Sequence, residues 1–450
     1  MTVTSSSSLT SPHAKRNLRE FFAMALAIAV FEGYDLSVYG ATIPALLHRA
    51  DWHMSTAGLG TVGALTSIGM LLGAAVVGAA GGRVSPRTLL LTGLVAYSLS
   101  TLGSAVAPAP GFFAGTRFFA GTGLGAVMPV LQGTLAELSP PTRRSRNITC
   151  TMAGICLGAV AAPLLGSVLM PEVSYHVMYL IGALPLVLIA PWGLLRLPDS
   201  PLRLMRAGRQ DEAVALARRY GLPAPGLPAR QEKQGRLGLS ALITHPHRRM
   251  TLPFWIMSFC AQLVSFGLGT WLPTILKGNG YTTGTALALT SVAWIGAAGG
   301  LIPGGVFADR AGPRRIVVTA FLAGAGGLLV ISAGPPVGLL YACLLVCGFG
   351  LLGEQGFISA YLVNRMPAEV RTSALGWALS IGRLGAVAGP AIGGFILSAG
   401  GGMRWNFYVL AAVAGVGMTA ALAVPRRSPD ESPLRDAAPS IVLGEPTVGG

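Results

Sequence analysis

Four carboxylates and two guanidinium groups interrupt stretches that are otherwise apolar. Glu32 and Asp35 lie in FEGYDLSVYG, Arg117 in TRFFAGTGLG and Arg383 in SIGRLGAVAGPAIGG, while Glu137 stands towards the far end of the run that holds Arg117 and Glu354 towards the end of a further apolar run. Charge inside a membrane span is costly, so each of these residues is a candidate for function. Glu32 and Asp35 are three apart and share one helix face. Counted from a helix start near residue 20 they sit ~18–22 Å deep, and Arg383, counted from about residue 373, sits ~15 Å deep. A guanidinium in a cavity holds a carboxylate through two parallel hydrogen bonds. Two neighbouring buried carboxylates repel and burial disfavours charge, which suits one of them to carry a proton. The set reads as an anion site beside a proton site, with Asp35 answering Arg383 until a carboxylate substrate displaces it. A permanent Asp35–Arg383 brace is the alternative, and for Arg117 packing competes with binding. Tyr34 and Tyr39 could stack a planar ligand or simply pack.

These residues need elements to hold them at depth, and composition says which. The chain has 450 residues, 52% hydrophobic and only 11% charged, whereas soluble domains carry about 25% charge. Its length also exceeds the ~250–300 residues at which single soluble cores stop growing. A disordered chain, a nucleic-acid-binding domain and a disulfide scaffold are excluded. The five cysteines are odd in number and lie in or beside apolar stretches. No metal cluster, nucleophile triad or phosphate loop is present, so neither an enzyme nor a cofactor is expected. No cleavable signal peptide is evident at the polar start.

About 20 apolar residues cross a bilayer as a helix. Twelve spans are expected, at about 20–41, 57–80, 88–108, 111–136, 148–170, 176–196, 251–276, 285–307, 315–334, 337–363, 373–399 and 404–424. The flanking regions are an N-terminal tail, 1–19, a polar middle loop, 197–250, and a C-terminal tail, 425–450. The two six-helix halves are 20–196 and 251–424. In the middle loop Ser200 and Pro201 form a cap and first-turn pair, and Asp211 and Glu212 open a second short helix. Of the 32 Lys and Arg, 27 fall in segments on the side of the termini and three (Arg49, Lys277, Arg404) on the other. That bias predicts both termini inside, and it assigns the net charge of +15 to topology rather than to nucleic acid.

The chain also repeats itself. At a shift of 227, Gly78 and Arg83 fall on Gly305 and Arg310, Pro140 and Arg144 on Pro367 and Arg371, and Pro163 and Gly166 on Pro390 and Gly393. Two halves of like orientation, with a substrate site between them at mid-depth, are therefore expected. The buried charges do not repeat: Arg117 falls on Leu344 and Arg383 on Cys156. A duplicated scaffold with unduplicated charges is what a ligand site requires. The loop GVFADRAGPRRI, with Asp309, Arg310, Arg314 and Arg315, resembles the signature loop of the major facilitator superfamily, which implies a role in the cytoplasmic gate. Its first copy, GAAGGRVSPRTL, has Gly82 where Asp belongs.

FEGYDLSVYG resembles the helix-1 signature of the aromatic acid:proton symporters within that superfamily, and RFFAGTGLGAVMP, ELSPPTRRSRN and MPAEVRTSALGWALSIGRLGAVAGPAIGG extend the likeness over nearly the whole chain. The resemblance implies the twelve-helix major facilitator fold and proton-coupled import of an aromatic carboxylate across a bacterial inner membrane by a functional monomer. It implies proton coupling through Asp35, Glu32 and Glu137, and substrate binding through Arg383, Arg117 and Arg371 with Tyr34 and Tyr39. Glu32 replaces the usual Asp of the signature, which bears on substrate range. Another organic acid carrier, a sugar porter or a drug:proton antiporter are the competing readings. Helix 7 lacks the paired glutamines of sugar porters, and AAPLLGS in helix 5 matches the antiporter Gly-Pro motif only in part.

Overall fold

The computed structural model describes residues 12–49, 51–80, 83–139, 144–222, 242, 248–366, 368–400 and 402–425. Every regular element among the described residues is helical. The first half holds α1 (Pro12–Leu46), α2 (Thr56–Ala80), α3 (Pro86–Ala105), α4 (Pro110–Leu138), α5 (Arg144–Glu172), α6 (Tyr175–Ala183) and α7 (Pro185–Arg196). Two short helices follow, α8 (Pro201–Arg206) and α9 (Gln210–Arg219). The second half holds α10 (Arg248–Gly278), α11 (Thr283–Ala311), α12 (Pro313–Ser332), α13 (Val337–Cys347), α14 (Glu354–Arg365), α15 (Ala368–Ser398) and α16 (Gly402–Ala423). Eleven stretches are long and apolar enough to cross a membrane among the described residues. The span expected at 285–307 falls on α11, where several side chains lie outside the described residues.

Helix starts follow from local chemistry. Ser85, Ser200 and Thr282 each accept a hydrogen bond from the backbone N–H three residues on, and proline occupies the first turn after Ser85 and Ser200. Two expected continuous spans are broken. Pro185 lacks an N–H and splits the sixth span at Leu184. The tenth passes through a π-helical turn at Gly348–Leu352, where Gly348, Gly350 and Gly353 give the α-helix little support. The first helix starts at Pro12, earlier than expected, because α9 and α7 hold its first turns. The Asn17 amide donates to Arg219 O at 3.0 Å, Arg196 pairs with Glu20 at 3.3 Å, and the Phe21 and Tyr220 rings meet edge to face.

The internal repeat is visible in the contacts. Arg87 donates to the Leu194 carbonyl, and its counterpart Arg314 donates to that of Leu422. The halves meet through α1 on α10, α2 on α15 and α5 on α11. These seams are tight at the end of the bundle remote from the termini, the distal end. A Cβ on Gly40 would lie 2.3 Å from Gly269 O, and one on Gly60 2.7 Å from Pro390 O. Backbone approach of that kind admits only glycine.

Candidate functional site

The Asp35 carboxylate is fully buried and engaged on both oxygens. Arg117 donates from Nη1 to Oδ1 and from Nη2 to Oδ2, each at 3.0 Å, and Thr101 adds Oγ1 to Oδ1 at 3.2 Å. Their exposures are 0% for Asp35 and 1% for Arg117. The guanidinium carbon stands 5.7 Å from the Tyr39 ring centre and 5.8 Å from that of Tyr179, within cation–π range. Tyr179 is held in turn by Thr42, oxygen to oxygen at 2.7 Å.

This overturns the expected pairing: Asp35 is answered by Arg117, not by Arg383. The reason lies in helix ends. Arg117 is seven residues into α4, ~10 Å from the distal end, and Asp35 is eleven residues short of the end of α1, ~16 Å from it. The long arginine side chain spans the difference. Arg383 lies on the other half and is half-buried. Its Nη1 lies 4.0 Å from Met70 Sδ, and no carboxylate comes within ion-pair distance of it among the described residues. Glu32, one turn from Asp35, is 4% exposed, and its Oε2 has no partner. Glu32 and Arg383 are within electrostatic reach of each other without contact.

A cavity of about 30 Å³ lies against the Asp35–Arg117 pair and draws its lining from both halves: Asp35, Tyr39, Ser67 and Arg117 on one side, Phe266 and Pro390 on the other. An apolar cavity that accepts benzene measures about 150 Å³, so this one is contracted around its polar groups. Met70 lines it as well and so connects it to Arg383.

The other expected site residues are spread more widely. Tyr39 faces the cavity, whereas Tyr34 is turned toward α6 and donates from its hydroxyl to Met178 O at 2.8 Å. Glu137 is twenty residues along α4 from Arg117, ~30 Å away, and accepts a hydrogen bond from the Ser200 hydroxyl. Arg371 is exposed and bonds Met366 O at 3.2 Å. Of the gating-loop residues, Arg310 and Arg315 are exposed, Arg314 bonds Leu422 O, and the Asp309 side chain lies outside the described residues, as does Gly82 of the first copy. Thr101 and Tyr179 were not anticipated. Neutral polar residues in apolar helices carry no sequence signal of a partner.

At the distal end Arg49 closes the connection between α1 and α2. It donates to both Asp51 oxygens, at 3.0 and 3.1 Å, stacks 4.0 Å over Trp52, and reaches the Tyr175 hydroxyl. The Arg49 bonds hold the Asp51 carboxyl below its ordinary range.

A helical bundle of two like halves, with a bidentate ion pair and a second cation at mid-depth between them, is the build of a multi-pass membrane transporter. A family model described as the Major Facilitator Superfamily matches residues 25–378 and, in a second match, 254–446. The chain belongs to that family. It is 33% identical to the gentisate transporter of Corynebacterium glutamicum over 389 residues, 86% of this chain and 82% of that one. It is 33% identical to the gallate transporter of Pseudomonas putida, with 85% and 86% covered, and 29% identical to the benzoate transport protein of Acinetobacter baylyi, with 87% and 86% covered. Among solved structures, a partially occluded inward-open conformation of the Escherichia coli xylose transporter XylE shares the fold, with a TM-score of 0.72 at 18% identity over 90% of this chain and 97% of that one.

Proposed function

We propose that this protein imports an aromatic carboxylate together with a proton by alternating access, across a bacterial cytoplasmic membrane, with both termini inside and as a functional monomer. In that orientation the tight distal seams close the site to the outside. The observation that carries the reading is the unequal state of the two site cations. Arg117 is paired with Asp35 through two hydrogen bonds, while Arg383, on the opposite half, has no carboxylate within ion-pair distance among the described residues. A substrate carboxylate is what Arg383 lacks, and Tyr39, Phe266 and Pro390 offer apolar surface to a ring. The names of the relatives, transporters of gentisate, gallate and benzoate, support the same substrate class.

Within the helix-1 pair, Glu32 suits the proton better than Asp35 does. Protonating Asp35 would leave Arg117 buried without a counter-charge, a loss of about 3–5 kcal/mol when one partner of a buried pair is removed. Glu32 holds no such contact on Oε2. A substrate on Arg383 withdraws the cation that Glu32 faces, and Glu32 then takes the proton, so the two ligands bind cooperatively and reciprocally. Asp35–Arg117 braces the site, and Glu137, ~30 Å along α4, is left to the contact with Ser200. Uptake of a panel of labelled benzoates and hydroxybenzoates into proteoliposomes, with and without an inward proton gradient, tests the reading. Accumulation of aromatic acids that requires the gradient is expected, and gradient-independent uptake or transport of sugars alone would overturn it.

A further inference from the structure

A second basic basin lies at the end of the bundle that carries both termini, far from the transport site. It measures about 310 Å³ and is lined by Gly312, Pro313 and Arg314 at the start of α12, Tyr361, Asn364 and Arg365 at the end of α14, and Pro425 after α16. Arg365 donates from Nε and Nη2 to Pro425 O, at 3.2 and 2.7 Å, and Arg314 donates from Nη2 to Leu422 O. Each guanidinium retains further donors, since arginine has five N–H groups. The Tyr361 hydroxyl lies within electrostatic reach of both. No acid lines the basin among the described residues.

The internal repeat makes this composition informative. At the 227-residue shift Pro313, Arg314, Tyr361 and Asn364 fall on Pro86, Arg87, Thr134 and Glu137. Pro86, Thr134 and Glu137 line the corresponding basin of the first half. There, Glu137 supplies a negative charge and α8 is docked against it through Ser200, with Arg203 and Arg206 alongside. The second half has the neutral Asn364 in place of that glutamate and adds Arg365, where the first half has Leu138. The same scaffold position has thus lost its acid and gained a cation. Leu422, which accepts from Arg314, is 49% exposed beside the basin and offers apolar surface at its edge.

We propose that this basin binds the phosphate group of an anionic phospholipid, with Arg314 and Arg365 on the phosphate, the Tyr361 hydroxyl and Asn364 amide completing the donors, and an acyl chain along the Leu422 surface. Basic pockets between membrane helices at this depth suit such headgroups. The chemistry recognised is a phosphate oxyanion, and the lipid rather than free phosphate is favoured by the apolar edge.

The test uses the full-length protein in phosphatidylcholine nanodiscs, titrated with phosphatidylglycerol or cardiolipin, with bound lipid read by native mass spectrometry. Asn364→Glu restores the acid of the first half without touching either carbonyl contact. Binding is expected to weaken about fivefold in this variant and about as much in Arg365→Gln, from the typical effect of one charge at an anionic membrane surface. Circular dichroism on the same samples separates this from misfolding. Lipid binding unchanged in both variants overturns the proposal. Displacement of the lipid by millimolar inorganic phosphate at constant ionic strength overturns the lipid as the source. A lipid signal seen only after removal of residues 426–450 also overturns it, because Asp430 and Glu431 would then be the basin's own anions.

Discussion

Substituting Glu32 and Asp35 one at a time separates proton carrier from brace. Asp35→Asn deletes the charge from a pair that is bidentate at 3.0 Å and buried on both sides. The guanidinium then loses its counter-charge while remaining 1% exposed, for which about 3–5 kcal/mol is typical. That corresponds to a shift in population of roughly 10²-fold to several thousand-fold, large against the 5–15 kcal/mol of an ordinary fold. Asp35→Asn should therefore be poorly folded, and transport should fall together with the amount of monodisperse protein recovered in detergent. Glu32→Gln removes a carboxyl with an unpartnered oxygen and should leave folding intact. Its transport defect should be specific: substrate binding and exchange across the membrane persist, but accumulation against a gradient is lost. In the wild type one linked proton strengthens substrate binding by at most tenfold per unit fall in pH, and in Glu32→Gln that dependence should flatten. Binding measured by calorimetry from pH 8 to 5.5, with counterflow and gradient-driven uptake in proteoliposomes, reads each quantity. A Glu32→Gln protein that still concentrates substrate on a proton gradient, or a stable Asp35→Asn protein that exchanges but cannot accumulate, would refute the reassignment and return the proton to Asp35.

Arg383→Lys keeps the charge but loses the planar fork, so substrate binding should weaken by about 1–3 kcal/mol, and unchanged affinity by calorimetry would make Arg383 structural. Gly158→Ala places a Cβ 1.8 Å from Val30 O, so α1 and α5 must separate; both uptake and thermal stability in detergent should drop, and a variant with normal melting would contradict the packing. Asp51, its carboxyl held low by Arg49, keeps its contact until pH falls through that lowered value, well into acid; Asp51→Asn should thus leave the pH profile of uptake between 5.5 and 8 unchanged, and a shifted profile would implicate the distal connection in coupling. In a cysteine-free background, a cysteine at position 8 or 230 should resist impermeant reagents applied outside intact cells, and labelling there would reverse the orientation.

Much of this protein was legible in its sequence because lipid leaves a helical chain few options. Backbone groups must be satisfied within each helix, so span lengths, the basic bias and the 227-residue repeat together specify a two-half helical bundle before any contact is known. Glu32, Asp35, Arg117 and Arg383 announced themselves for the same reason, since charge at that depth is rare without a use. Even Ser200 and Pro201 marked the helix they begin. Partner choice was not legible. Depth along a helix is readable from residue counts, but azimuth and side-chain reach are not, and those gave Asp35 to Arg117 rather than to Arg383. Packing made the decision: α1 and α4 lie in one half, and an arginine set ~6 Å off in depth can still close two hydrogen bonds onto a carboxylate. The same tertiary arrangement sent Tyr34 to α6, kept Tyr39 at the cavity, and left Arg383 without a carboxylate at ion-pair distance among the described residues. Those outcomes depend on which helix faces meet, a property of all the helices together that no local run of residues contains.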